Sequence, residues 1–127
     1  MGKRRQTLEE CGRAIDSLAE AITQAKSDLE IDGAIQRFEF TYELFWKMLK
    51  LALEEEGISA NSPRDCFKHA YRLRWVNDEQ NILEMIDDRN RTVHMYDKEQ
   101  LRKVFSKIKN VYFPIFKAAH ELLSQKG

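Results

Sequence analysis

The chain has 127 residues, 43% of them hydrophobic and 33% charged, with five Gly, two Pro and two Cys. This length suits one domain whose core needs no disulfide or metal as a staple, and the few Gly and Pro favour long amphipathic helices over a turn-rich all-β fold. Lys plus Arg and Asp plus Glu number 21 each, for a formal net charge of zero, so no global field draws the chain onto nucleic acid or anionic membrane.

From about Thr7 to Lys26, the residues Leu8, Cys11, Ile15, Leu18, Ala21, Ile22 and Ala25 recur at three- and four-residue steps and predict a first amphipathic helix. Ser27 to Asp32 reads as a connection. A second helix, from about Ile31 to Glu56, carries one stripe of Ile35, Phe38, Tyr42, Phe45, Leu49 and Leu53 and another of Phe40, Leu44, Met48 and Leu51. That apolar arc is wider than one bundle core requires and suggests a partner surface. Gly57 suits a left-handed cap that ends the helix.

Ser62 is placed to cap a short third helix that opens on Pro63, with Asp65 in its first turn, and runs to about Trp75. Asn77, with Gln80 three residues on, predicts the start of a fourth, whose buried face is Ile82, Leu83, Met85 and Ile86. Asp97 with Gln100 repeats the capping pattern, and apolar residues from Leu101 to Leu123 trace a final long helix. Pro114 should kink it, because the ring removes a donor and crowds the carbonyl of Asn110. The expected architecture is all-α: an antiparallel up-and-down bundle of four to five helices in one domain spanning residues 1–127.

Cys11 and Cys66 stand in no C-x-x-C or Cys/His ligand spacing, so the sequence signals neither a metal site nor a disulfide framework, and no cofactor is implied. The expectation is reduced thiols in the cytoplasm. No run approaches the roughly 18 to 20 apolar residues of a membrane span, so no membrane association is expected. Basic clusters stand at Lys3-Arg4-Arg5, around Arg64, Lys68, Arg72 and Arg74, and between Lys98 and Lys109; such clusters are most often solvated faces.

The chemistry-bearing stretch is Arg89-Asn90-Arg91-Thr92-Val93-His94-Met95-Tyr96, at the end of the fourth helix. A guanidinium holds a phosphate through paired hydrogen bonds, and an imidazole moves a proton near neutral pH, which together suit phosphodiester or nucleotide chemistry. On a continuing helix Asn90 and His94 share a face while Arg89 points about 100° away. Arg89 and His94 therefore converge only if the helix ends near His94. Spacing alone is a weak signal. His69 reads as a surface or packing residue and His120 as a helix-face residue, Trp46 and Trp75 as core or interface anchors, and Asp87-Asp88 as surface or Arg-pairing groups.

The segments RNRTVHMY at 89–96, RFEFTYELFWKMLK at 37–50 and SPRDCFKHA at 62–70 resemble the nucleotidyltransferase substrate-binding proteins of the HEPN superfamily, over nearly the whole chain. Its motif of Arg, a short polar spacer, His, one residue and Tyr is matched by Arg89, His94 and Tyr96. The resemblance implies a helical bundle that forms a homodimer and works with a cognate minimal nucleotidyltransferase encoded beside it. In many such modules this chain is a metal-independent RNase toxin whose motif Arg and His act in cleavage, silenced when the partner adenylylates the motif tyrosine.

Carried over by position, Arg89 and His94 become the catalytic candidates, Asn90 a supporting polar residue and Tyr96 the modification candidate, with RNA or a nucleotide as ligand. None of the five Gly precedes Ser, so the chain lacks the signature of a nucleotidyltransferase and should not transfer nucleotides itself. Two functions follow: a partner subunit that binds the transferase and its substrate, or an RNase toxin.

Overall fold

The computed structural model describes residues 2–94 and 97–126. Among these residues six α-helices follow one another: α1 Gly2–Gln24, α2 Asp28–Glu55, α3 Pro63–Arg72, α4 Glu79–Thr92, α5 Lys98–Lys107 and α6 Phe113–Gln125. A π-helical turn, Ile108–Tyr112, joins the last two into one rod, so the architecture is the expected all-α bundle of four to five helical rods.

Cross-links between helices give their directions. Arg4 pairs with Glu55 at 3.0 Å, Thr41 Oγ1 lies 3.3 Å from the Ala14 carbonyl and Arg37 donates to the Ser17 carbonyl, so α1 and α2 are antiparallel. Arg4 also donates to the Leu123 carbonyl, and His120 Nε2 lies 2.8 Å from that of Leu8, which sets α6 antiparallel to α1. The His120 ring fills the space above Gly12, where a Cβ would stand 3.0 Å from Nε2.

The core is built on one stripe of α2. Phe38, Tyr42, Phe45, Leu49 and Leu53 are all buried. Phe38 stacks on Tyr112 with ring centroids 5.7 Å apart, Phe45 meets Phe116 at 4.8 Å, and Tyr42 meets Phe67 edge-on at 6.0 Å. Such pairs add roughly 0.5–1.5 kcal/mol beyond the burial of their area. The second expected stripe is only partly free: Met48 is buried, Leu44 and Leu51 are half-buried, and Phe40 is 56% exposed. Trp75 is buried and Trp46 half-buried, its indole N–H donating to Glu43.

Several boundaries differ from those read in the sequence. The supposed connection after Ser27 is already helix, because Ser27 and Glu30 form a reciprocal capping box: the Glu30 N–H donates to Ser27 Oγ and the Ser27 N–H to Glu30 Oε1. Asp78 caps α4 in place of Asn77, its carboxylate accepting from the Asn81 N–H at 3.0 Å. The predicted kink at Pro114 takes the form of the π-helical turn. The Phe113 N–H reaches back to the Ile108 carbonyl, and this wider pairing immediately before Pro114 accommodates the ring and its missing donor within the continuous rod.

α3 ends at Arg72, short of Trp75, because the chain passes through a left-handed residue. Arg74 has φ 64°, and the Trp75 N–H closes on the Ala70 carbonyl at 2.9 Å. Gly57, with φ 79°, does the same for α2, and the Ile58 N–H closes on Leu53. One turn therefore uses the residue that adopts this conformation freely, and the other uses one that pays about 1 kcal/mol for its Cβ. Arg74→Gly should raise unfolding stability by up to ~1 kcal/mol, and Gly57→Ala should lower it by about as much. Urea unfolding of the two variants checks both signs.

Candidate functional site

The candidate site lies where α4 ends against α2. Arg89, one turn before that end, points towards α2: its guanidinium carbon sits 6.0 Å above the centre of the Tyr42 ring, and Nη1 is 4.0 Å from Glu39 Oε2. The Glu39 carboxylate also accepts the hydroxyl of Thr92, whose oxygen lies 2.8 Å from the Arg89 carbonyl. One acidic side chain of α2 thus holds the last turn of α4 at two points. The pairs Glu39 with Thr92 and Tyr42 with Arg89 show that α2 and α4 run antiparallel.

The Arg89 side chain is only 24% exposed, yet its guanidinium donates no hydrogen bond to the described residues, and its Nε is buried without a partner among them. Five N–H donors in a planar fork, partly withdrawn from water and facing a carboxylate at the edge of contact range, leave capacity for an added anion. Burial pushes the Tyr42 phenol up to about 12, with the neighbouring Glu43 adding to the shift and Arg89 and Arg64 opposing it. Beneath the guanidinium the ring is therefore a neutral π-face.

α4 stops at Thr92, and Val93 and His94 form a turn in which the His94 N–H bonds to the Arg91 carbonyl. His94 is exposed. The helix end required for Arg89 and His94 to approach is present, although no hydrogen bond links the two side chains among the described residues. Asn90 is exposed on another side of α4, lining an open depression of about 560 Å³ with Asp87, Asp88, Arg91 and Lys107. Arg89 and Asn90 thus face different neighbours. Tyr96 lies outside the described residues.

Asp88 takes the second of the two roles expected for it, an Arg-pairing group, and takes it from a buried position. It is 3% exposed and accepts from the Tyr112 hydroxyl and from Arg91, with Lys107 Nζ at 3.6 Å. Asp87, its neighbour, is exposed. Burial and the Asp88 hydrogen bond raise the Tyr112 pKa, so this phenol stays protonated in the fold. Lys107 also bonds to Glu84 at 2.6 Å, tying α5 to α4. Sequence reasoning missed Glu39, Tyr42 and Tyr112 as site residues, because only the packing of distant helices brings them to α4.

An all-helical bundle that ends α4 in an Arg, a turn and an exposed His defines a class of small helical proteins, and comparison with known proteins narrows it. Residues 6–125 match the family described as "Nucleotidyltransferase substrate binding protein like". The chain belongs to this family, in keeping with the HEPN-like fold. A relative from Haemophilus influenzae named "Probable ribonuclease HepT" is 36% identical over 86 residues, which cover 64% of this chain and 59% of that relative. A crystal structure of a protein from Thermus thermophilus superposes with a TM-score of 0.83 at 33% identity, over 89% of this chain and 98% of the other. A Haemophilus influenzae structure, described as revealing the fold of a substrate binding domain of a nucleotidyltransferase, also gives 0.83, at 30% identity over 93% and 99% of the two chains.

Tyr112→Phe should lower stability by about 1–3 kcal/mol at neutral pH, because it removes a donor from a buried carboxylate. The buried groups also set an alkaline limit. Burial pushes the Cys11 and Cys66 thiols from 9.0 to about 12 and about 11, and holds the Tyr42 and Tyr112 phenols above the usual 10.0. A raised folded-state value means that stability is whole below the unfolded value and is lost as pH rises towards the folded one. Stability should therefore decline from about pH 9 upward, by as much as ~1.4 kcal/mol per pH unit for each group. Urea titrations between pH 8 and pH 11 should show this decline, shallower above pH 10 in Tyr112→Phe.

Proposed function

We propose that this chain is the partner subunit of a two-component minimal nucleotidyltransferase module: it forms a homodimer, binds the transferase, and receives a nucleotide or RNA phosphate at Arg89 and His94. The observation that carries this reading is Arg89 itself, a partly buried guanidinium whose donors are uncommitted among the described residues, five residues ahead of an exposed imidazole. Membership of a family described as nucleotidyltransferase substrate binding supports the partner. An open groove of about 410 Å³ between α1 and α2, lined by Arg13, Arg37, Phe40 and Leu44 among others, supports a protein-binding face elsewhere on the chain.

A second reading, RNase, draws support from the similarity to the relative named "Probable ribonuclease HepT". His94 takes the proton of a ribose 2′-hydroxyl, whose oxygen bonds to the neighbouring phosphorus as the bond to the 5′-oxygen breaks. Arg89 stabilises the charge gathering on the non-bridging oxygens. A second imidazole, from the other copy in a symmetric dimer, protonates the departing 5′-oxygen, and a 2′,3′-cyclic phosphate remains. Adenylylation of Tyr96, two residues after His94 in the sequence, would add an anion that competes with substrate phosphate.

The purified chain and its cognate transferase should co-elute at physiological salt, and His94→Ala should leave the complex intact; separate elution defeats the partner-subunit reading. For the RNase reading, expression should arrest growth and Arg89→Ala or His94→Ala should relieve it, with cleavage that persists in chelator. Undiminished toxicity in both variants excludes that mechanism. Intact mass after incubation with transferase and ATP should show one adenylyl group, absent in Tyr96→Phe.

A further inference from the structure

The site described above leaves the basic face of α3 unused. Arg64, Lys68 and Arg72 follow at four-residue steps and Tyr71 lies seven after Arg64, so on a helix all four fall within an arc of about 100°. The buried residues Cys66, Phe67 and Ala70 occupy the other side. Arg64, Tyr71 and Arg72 are exposed and Lys68 is half-buried. Beyond the helix, Arg74 in its left-handed conformation joins Tyr71, Arg72, Val76 and Asn77 around an open depression of about 410 Å³. None of these four cations pairs with a carboxylate among the described residues, whereas Arg91, Arg102 and Lys107 all do.

The two ends of this face differ in what they adjoin. Phe67, one turn after Arg64, packs edge-on against Tyr42, the same ring that carries the Arg89 guanidinium on it. The start of α3 therefore abuts the Arg89 site, and the stripe leads away from it over roughly 12 Å from Arg64 to Arg72. A row of cations with an aromatic ring among them suits a single strand, whose phosphates meet the charges while a base stacks on the ring. Asp65, next to Arg64 on α3, and the exposed Asp87 on α4 limit the field to a short stretch of backbone.

We propose that the α3 face is a track for single-stranded RNA, in which Arg64, Lys68 and Arg72 contact successive phosphates and Tyr71 stacks a base, delivering the strand to Arg89. The proposal rests on the reading that Arg89 receives a phosphate and adds where the rest of the strand lies. Neutral net charge fits a short footprint with a modest salt dependence.

The test is fluorescence anisotropy of a labelled single-stranded RNA oligonucleotide, titrated with the full chain over a series of salt concentrations. Arg64→Gln/Arg72→Gln should lower the slope of log affinity against log salt by about 1.4, since each lost single-strand contact removes about 0.7. Tyr71→Ala should weaken binding about five- to 150-fold with the slope unchanged. Thermal melts matching wild type will establish that these surface variants fold.

An unchanged slope in the double variant together with unchanged affinity in Tyr71→Ala overturns the track. If Arg89→Ala still weakens binding in that case, the Arg89 reading stands without it. No binding by the wild-type chain overturns the track, and Arg89→Ala assayed with a mononucleotide then judges the site alone. Loss of transferase co-elution in the double variant, with RNA binding intact, assigns the stripe to a protein partner and also overturns the proposal.

Discussion

Burial of the aromatic stripe on α2 is the constraint from which the rest of the molecule follows. Phe38, Tyr42 and Phe45 meet Tyr112, Phe116 and Phe67, so one helix fixes both the terminal rod and α3. Truncating any one of these rings to a methyl would cost about 3–5 kcal/mol, a large part of the roughly 5–15 kcal/mol that holds a domain folded. A helix locked this firmly cannot rotate to suit its surface residues. Glu39, next to Phe38, is therefore carried to the end of α4 by the core.

Two carboxylates then divide the work at α4. Asp88 is saturated: Tyr112, Arg91 and Lys107 surround it, and their combined charge and donors offset its removal from water. Glu39 is shared between Thr92 and an arginine at 4.0 Å. The saturated group anchors the helix to the terminal rod, while the shared one leaves Arg89 incompletely paired. Among the described residues this leaves spare donors on a guanidinium carried by a fixed backbone, the preorganisation that the proposed anion recognition would need.

The π-helical turn belongs to the same arrangement. Widening the rod at Ile108–Tyr112 accommodates Pro114 at the start of α6, and the turn ends on Tyr112, whose ring stacks on Phe38 and whose hydroxyl reaches Asp88. Such turns inside helices often mark functional regions. Here the turn links the core stripe of α2 to the anchored end of α4, so a local backbone accommodation and a long-range polar contact share one residue.

The helical class, the core stripe from Ile35 to Leu53 and the caps at Ser62 and Asp97 were legible in the amino-acid sequence alone, because periodicity and capping act within one or two turns. Ser27 with Glu30 is equally legible as a capping box, its spacing matching the reciprocal bonds observed; Asp78 displaces Asn77 by one residue because both side chains suit the role. Tertiary structure alone decided that Asp88 is buried while Asp87 is exposed, that Tyr42 and Glu39 face Arg89, and that Pro114 is met by a π-helical turn. The burial of Asp88 and the placing of Tyr42 and Glu39 against Arg89 depend on helices some 20 to 50 residues away, a distance across which local pattern carries no information; the form taken at Pro114 is local, but periodicity does not distinguish a wider turn from a kink.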